Sequence, residues 1–358
     1  MKKIKLAMVG LGRAGVGMHL PNLIDKNRLE EKYEIAAVCD IEPDRCEEMK
    51  EKYGCRVYSK IEDLVKDKDI DIIDIATRSC DHFKHAKTAL EAGFTVHLEK
   101  PITLTGEQAR ILFEIAERDG KKRLFINHNR RFEERFMQIR RIIDSGILGN
   151  VYYVRRATGS YERRCDWQTL SQYGGGQLLN WGPHLVDQAL QFCDGSYKSM
   201  DAKLCQVAAA GDCEDFVKVV FTGANDRIVE IEISGATALP TPMYVVYGSR
   251  GTLIDKGATF TMKYLPKDFV MPDIVASPDT PEGAKFHPQP PLPFITEDVK
   301  WDDYIPLDRL WDCLYDAYMH GKEYPIKSEE AIKVVETIEE IKNSTSIIRT
   351  CDKMTKSI

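Results

Sequence analysis

Two groups of residues in this 358-residue chain have types and spacing that could do chemistry. The first is Val96-His97-Leu98-Glu99-Lys100-Pro101, an apolar run that ends in an acid, a lysine and a proline. Proline removes a backbone donor and pushes the residue before it towards extended geometry. Lys100 would then sit on a held backbone at the carboxyl end of a strand, the edge where open α/β sheets bind ligands. Read alone, the same residues would also make a surface turn with a solvated lysine. Glu99 either positions Lys100 or ends the strand, and His97, alternating with Leu98, could face either side of a sheet.

The second group is Gly10-x-Gly12-x-x-Gly15, with an apolar strand directly before it and a helix-compatible segment to about Lys26 after it. Gly10 permits a tight turn, Gly12 lets the backbone approach a pyrophosphate, and Gly15 lets helix pack on strand. An anion would lie on the helix amino end, where free N–H groups and the dipole favour negative charge. A second strand, Glu34 to Cys39, ends in Asp40. A carboxylate there accepts from ribose hydroxyls and repels a 2′-phosphate, so NAD is expected in preference to NADP. Arg45 would soften that preference if it turned towards the ribose rather than lying on its helix face. A Gly-rich turn without a ligand is the alternative.

The elements that must position these groups follow from periodicity. Strands at residues 4–9, 34–39, 70–76, 96–98 and 123–127 alternate with helices, which calls for a parallel sheet. The character changes near His128. Phe132, Phe136, Ile139 and Ile143 make one apolar helical face, and most of Arg130, Arg131, Arg135, Arg140 and Arg141 are expected on a solvated one. Later strands near residues 152–157, 216–221, 228–234, 243–247 and 259–264 lack intervening helices, which predicts a largely antiparallel sheet. Residues 266–306 hold nine of the sixteen prolines and read as a long excursion, a lid or a surface loop. Helical segments at 307–320 and 328–347 close the chain.

Composition excludes several classes. A net charge of −6 argues against a nucleic-acid binder. No apolar run approaches the roughly 18–20 residues that span a bilayer, and the first apolar run is too short for a secretory signal, so a cytoplasmic protein is expected. The ten cysteines form no C-x-x-C pair, so reduced thiols and no metal site are expected.

With the Gly-rich turn, Asp40 and Glu99-Lys100-Pro101 in hand, the chain resembles the Gfo/Idh/MocA oxidoreductases, which include glucose–fructose oxidoreductase and inositol dehydrogenase relatives. The resemblance spans nearly the whole chain. Ala76-Thr77 with His82 and Ala86 is similar to the segment leading into the family's Glu-Lys-Pro motif. Asn129-Arg130-Arg131-Phe132 is similar to its entry into the second domain. Gly174-Gly175-Gly176-x-x-x-Asn180-x-Gly182-x-His184-x-x-Asp187 resembles its second catalytic motif, and Tyr247 to Leu253 a late strand.

The resemblance implies an α/β protein: a Rossmann doubly wound parallel sheet over residues 1–127, then an α/β domain with a large, mostly antiparallel open sheet over 128–358. It implies Gly10, Gly12, Arg13, Ala14, Gly15, Asp40, Thr77, His82, Glu99 and Lys100 at the cofactor, and Lys100, His184 and Asn180 in catalysis. A lysine partly desolvated beside a cationic nicotinamide has a lowered pKa and can exchange a hydroxyl proton near neutral pH; His184 would assist it. Asn180 departs from the family, which usually has aspartate four residues before this histidine; i, i+4 spacing would put both on one helical face. Asp187 is either a substitute orienter of His184 or a helix-surface acid. Arg78 stands where the family often has proline. Tyr161 and Trp167, with Arg163, Arg164 and Asp166, could line a sugar pocket or a surface loop.

The activity implied is NAD-dependent hydride transfer between nicotinamide and a secondary alcohol or ketone of a sugar, inositol or sugar derivative. Two alternatives stay open: an NAD-retaining glycosidase-like enzyme that oxidises transiently and eliminates, and a non-enzymatic dinucleotide and sugar sensor. The partners expected are a small sugar or polyol and a second copy of the chain, as homodimer or homotetramer, with neither nucleic acid nor membrane.

Overall fold

The computed structural model describes residues 2–279, 283, 291–300 and 309–350. Its first layer is a six-stranded sheet of β1 (Ile4–Val9), β2 (Tyr33–Cys39), β3 (Arg56–Tyr58), β4 (Ile72–Ile75), β5 (Thr95–Leu98) and β6 (Leu124–Ile126). The order is β3-β2-β1-β4-β5-β6 and every pairing is parallel. Apart from the exposed edge strand β3, these strands are apolar almost throughout because helices cover both faces, leaving no wet side to alternate with. The strand order reverses between β1 and β4, so their carboxyl ends open a crevice where a ligand can enter.

The segment after the Gly-rich turn is less regular than expected. Gly15–His19 is a π-helical turn, Leu20–Ile24 a short α-helix, Asp25–Asn27 a 3-10 turn and Arg28–Glu31 a further helical turn. Pro21 lacks the N–H that would continue an i to i−4 ladder, which accounts for the break. Helices Pro43–Tyr53, His82–Glu91 and Gly106–Glu117 fall between the strands, as the alternation requires.

The second sheet has nine strands: β7 (Val151–Gly159), β8 (Tyr197–Gln206), β9 (Phe216–Gly223), β10 (Ile228–Ser234), β11 (Tyr244–Gly248), β12 (Gly251–Asp255), β13 (Thr259–Tyr264), β14 (Ile295–Lys300) and β15 (Ile347–Arg349). Their order is β14-β13-β12-β11-β7-β10-β9-β8-β15. All pairings are antiparallel except β7 with β10 and β8 with β15. One face is dry: Val217, Val219 and Phe221 alternate on β9 and bury against helix Gly182–Phe192, and helix Ser328–Ser344 packs on that helix and on β8. The strands β8, β14 and β15 escape sequence reading because they are polar or short. β14 lies within the proline-rich stretch, so part of that excursion is an edge strand on β13; residues 280–282, 284–290 and 301–306 of it lie outside the described residues.

Helix Arg309–His320 returns to the first core, where Leu310, Trp311, Leu314 and Tyr315 pack among the residues of the parallel sheet. The first core thus recruits chain from well beyond the boundary expected at residue 128. Among the described residues no helix is long and apolar enough to cross a membrane.

Candidate active site

The carboxyl ends of the parallel strands and the loops of the second domain enclose a cleft of about 1170 Å³. Gly10, Gly12, Arg13, Ala14, Asp40, Thr77, His82, Glu99, Lys100, Trp167, Asn180 and His184 all line it. That volume suits a dinucleotide with a small second ligand.

The three glycines separate by role. Gly10 has φ +92°, and a Cβ there would stand 2.6 Å from the Ala76 carbonyl oxygen, so only glycine fits between β1 and β4. Gly15 does not line the cleft; it packs under the Gly10 carbonyl. Gly12 faces open space, leaving room for a ligand against its backbone. Asp40 accepts from the Leu11 N–H (2.6 Å) and the Glu42 N–H (2.9 Å), so the carboxylate at the end of β2 also fixes the glycine turn. Arg45 approaches it at 3.7 Å. The residues of this cradle could hold a dinucleotide: Gly12, Arg13 and Ala14 would meet its phosphates and Asp40 a ribose.

Lys100 follows β5 and is buried to 13% side-chain exposure. The Lys100–Pro101 peptide is cis. Its Nζ donates to the Asn180 carbonyl oxygen at 3.0 Å and lies 3.6 Å from Glu99. Burial lowers the pKa of Lys100; Glu99 opposes that, while Arg130 and Arg13 reinforce it. His82 lies over this loop, its Nδ1 2.6 Å from the Pro101 carbonyl oxygen and its Nε2 3.1 Å from that of Thr77. It therefore joins the loops after β4 and β5 as well as facing the cleft.

The opposite wall comes from the second domain. Gly176, at φ +103°, has no space for a Cβ beside Glu214. Glu214 in turn accepts from the Leu178 N–H at 2.9 Å and so caps the short helix Gln177–Asn180. Asn180 ends that helix, and its side-chain oxygen accepts from Gln168 at 3.4 Å. His184 belongs to the next helix, Gly182–Phe192; the expected single helical face is broken at Trp181, because Gly182 and Pro183 restart the helix. Both side chains nevertheless reach the cleft. His184 is almost fully buried with Nδ1 unpartnered, and burial, Lys100, Arg130, His128 and Arg156 together hold its pKa well below the usual range. Burial and these neighbouring cations favour the neutral imidazole.

Several expectations need correction. Asp187 neither orients His184 nor sits at the surface: it is buried and receives Arg131 through Nε (2.8 Å) and Nη2 (2.6 Å). Arg131, which also meets Glu330, is therefore an internal strut rather than part of a solvated face. Arg130 packs its guanidinium over Trp181 at 4.5 Å and lines the cleft. Tyr161 is 59% exposed and outside the cleft; the alternation after β7 turns Glu162 and Arg164 inward in its place. Arg164, held by Asp166 at 2.7 Å and by Gln168, lines the cleft, as do Gln168, Trp181 and Glu162, which sequence reading did not single out.

Beneath Lys100 lies a network that sequence reading did not assemble. His19 Nδ1 meets Asp74 at 2.8 Å and His97 Nδ1 meets it at 2.7 Å, while Asn127 donates to Glu99 at 2.7 Å. His19 Nε2 is 3.4 Å from Glu99. His97 thus points into the layer under β5, towards Trp311 at 4.6 Å. A signal existed: Asp74 is an acid inside the otherwise apolar Ile72–Ile75, and a buried acid needs partners. His19, Asp74 and His97 have donor atoms within 4.8 Å of one another, but both Nδ1 atoms are already at hydrogen-bonding distance from the carboxylate.

Comparison with known proteins agrees with this architecture. Residues 4–128 match the oxidoreductase family with an NAD-binding Rossmann fold, and residues 136–254 match the Gfo/Idh/MocA C-terminal domain. The chain is 25% identical to the scyllo-inositol 2-dehydrogenase (NADP(+)) IolW of Bacillus subtilis, over 97% of this chain and 95% of that one. It is 30% identical to the D-glucoside 3-dehydrogenase of Escherichia coli over 52% of this chain and 53% of that one. Among solved structures, an NAD-binding protein from Listeria innocua superposes with a TM-score of 0.77 at 25% identity, covering 96% of both chains. GenD2 from gentamicin A biosynthesis, solved in complex with NAD, gives 0.75 at 23% identity, covering 96% of this chain and 94% of that one. The glycine cradle, the Lys100 loop, the His184 wall and both halves of the chain thus converge on one conclusion: this protein belongs to the Gfo/Idh/MocA oxidoreductases.

Proposed function

We propose that the protein is an NAD-dependent dehydrogenase or reductase acting on a secondary alcohol or ketone of a sugar, inositol or related polyol. The observation that carries this reading is Lys100: a buried amine with a lowered pKa, at the carboxyl edge of β5, between the glycine cradle and the wall bearing His184. The nicotinamide, when bound, accepts or delivers the hydride. The protein's own part is to hold and deprotonate. Neutral Lys100 takes the proton of the substrate hydroxyl at Nζ while the carbinol hydrogen leaves as hydride; the reverse direction returns that proton to the forming hydroxyl. His184, neutral and with a free Nδ1, holds a neighbouring hydroxyl. Asn180 offers an amide to another hydroxyl and, through its backbone carbonyl, aims Nζ. Trp167 and Trp181 give apolar faces against which a polyol ring can lie.

Asp40 supports NAD over NADP, since a 2′-phosphate would meet its charge. The relatives' names include both an NADP-dependent dehydrogenase and an NAD complex, so this preference rests on Asp40 alone. The test is NADH formation, followed by absorbance, with a panel of inositols, hexoses and glucosides and each cofactor in turn. Net NADH with at least one polyol is expected. Tight NAD binding with no NADH from any of them, together with product release from a glycoside, would favour the cofactor-retaining alternative.

A further inference from the structure

Lys100 is the group visible at the cleft, but the charge beside it is set one layer down. Glu99 is 4% exposed; among the described residues Lys100 on its own loop, Asn127 just after β6 and His19 from the turn after the glycine cradle touch it, and the buried His82 and His128 lie close enough to feel its charge. His19, 1% exposed, faces Asp74 on β4, His97 on β5, Glu99 just after β5, Asn127 after β6, and the edge of Trp311 from helix Arg309–His320. Two carboxylates flank one imidazole, one at each ring nitrogen. Satisfying both requires two N–H groups, which only the imidazolium has. The competing arrangement is a neutral ring whose Nε2 accepts from Asn127, 3.1 Å away. It would leave the buried carboxylates of Asp74 and Glu99 with no cation between them, which is costly.

We propose that His19 is a positioning residue: a buried imidazolium clamped between Asp74 and Glu99 that anchors Glu99 and limits the negative field Glu99 exerts on Lys100. The inference rests on the reading of Lys100 as the proton-handling amine. Its physical content is a sign. Glu99 alone would hold Lys100 charged and useless as a base; a cation behind Glu99 offsets that pull and lets burial keep the amine's proton loosely bound. Burial opposes a charge on His19, but Asp74 and Glu99 outweigh it and raise its pKa to about 10. Asp74, despite a burial that disfavours its charge, stays ionised because His19 and His97 bond to it. Asp74 is thus the anchor that keeps His19 protonated.

The experiment reads Lys100 without needing the substrate. Acetic anhydride labels only the neutral amine, and mass spectrometry of the Lys100 peptide across pH gives its midpoint in the full-length protein. In the wild type the midpoint should lie below that of surface lysines. His19→Gln and Asp74→Asn should both move it upward, by about half a pH unit or more. A merely structural role would lower thermal stability without moving the midpoint. In parallel, 15N-histidine spectra of the unsubstituted protein should show one histidine with both ring nitrogens protonated above pH 8, which holds whether or not the variants fold; assignment is by its loss in whichever variant folds. A lowered wild-type midpoint that stays put in both variants, or no doubly protonated histidine above pH 8, overturns the role of His19 and leaves Lys100 standing. A wild-type midpoint equal to that of surface lysines overturns the Lys100 reading itself, and this inference with it.

Discussion

The two sides of Lys100 are built on opposite rules. Below it, His19, Asp74, Glu99 and Asn127 form a dry, nearly saturated layer in which each named charge meets an opposite one or a hydrogen-bond partner, with His97 Nε2 the one ring nitrogen of His19 and His97 left unpartnered. Across from it, the wall holding His184 and Asn129 leaves His184 Nδ1 and Asn129 Oδ1 buried without a protein partner, and Arg130 rests on an indole with its nearest carboxylate 3.7 Å away. Buried polar groups in native proteins are nearly always paired, so groups left open in a cleft are places for a ligand's hydroxyls. The saturated side gives stiffness and the open side gives recognition. A lysine between them is held in place from one side and presented on the other.

This contrast can be broken experimentally, and the largest effect should come at the junction. Lys100→Met is expected to lower turnover by roughly 10²–10⁴ while NAD affinity, measured by titration, stays nearly unchanged. Retained turnover would remove Lys100 from the chemistry. On the saturated side, Asp74→Ala leaves His19 buried without its main counter-ion and should cost about 3–5 kcal/mol in denaturant unfolding. On the open side, His184→Asn should reduce turnover yet change stability by less than about 1 kcal/mol, since the ring's Nδ1 has no protein partner to lose. Equal stability losses in these two variants would erase the distinction.

The pH dependence sharpens the same point. Asp74 and Glu99 have folded-state pKa values depressed below 3.8 and 4.5, so their contribution is present above those values and lost as pH falls beneath them. His19 is raised from 6.5 to about 10, so its contribution is complete below 6.5 and lost as pH rises towards 10. Melting temperature should therefore decline on both flanks, and His19→Gln should flatten the alkaline one. At the cofactor end a smaller effect is expected. Asp40→Ala should narrow the NAD over NADP preference roughly tenfold, about one charge-assisted hydrogen bond, read from the ratio of kcat/KM values. Smallest of all, Lys66→Ala removes only an exposed pair with Asp63 and should leave unfolding within about 0.5 kcal/mol of wild type.

How far the sequence reaches depends on whether a signal is local. The placement of Gly10, Gly12, Asp40 and Lys100 at the cleft was legible because each sits at a strand end or in a turn a few residues long. The parallel sheet was legible because apolar runs alternate with amphipathic helices at short range. The strands β8, β14 and β15 were not, since the polar, half-exposed β8 and the edge strands β14 and β15 carry little apolar pattern. Tyr161 and Glu162 were exchanged because alternation fixes that successive residues face opposite ways, but not which of them faces the cleft. Arg131 and Asp187 were misread because their partnership joins positions 56 apart in the chain.

His19, Asp74, His97 and Asn127 mark the deeper limit. Their types were visible, and an acid within an apolar strand was a hint, but the network needs four separate segments to converge under one loop. The sequence by itself determined the fold class, the cofactor cradle and the lysine at the edge of β5, because these depend on periodicity and neighbouring residues. Only the tertiary structure decided which charges stand behind that lysine. Electrostatic fields add across space, and in a dry interior they act between side chains that nothing in the linear order brings together.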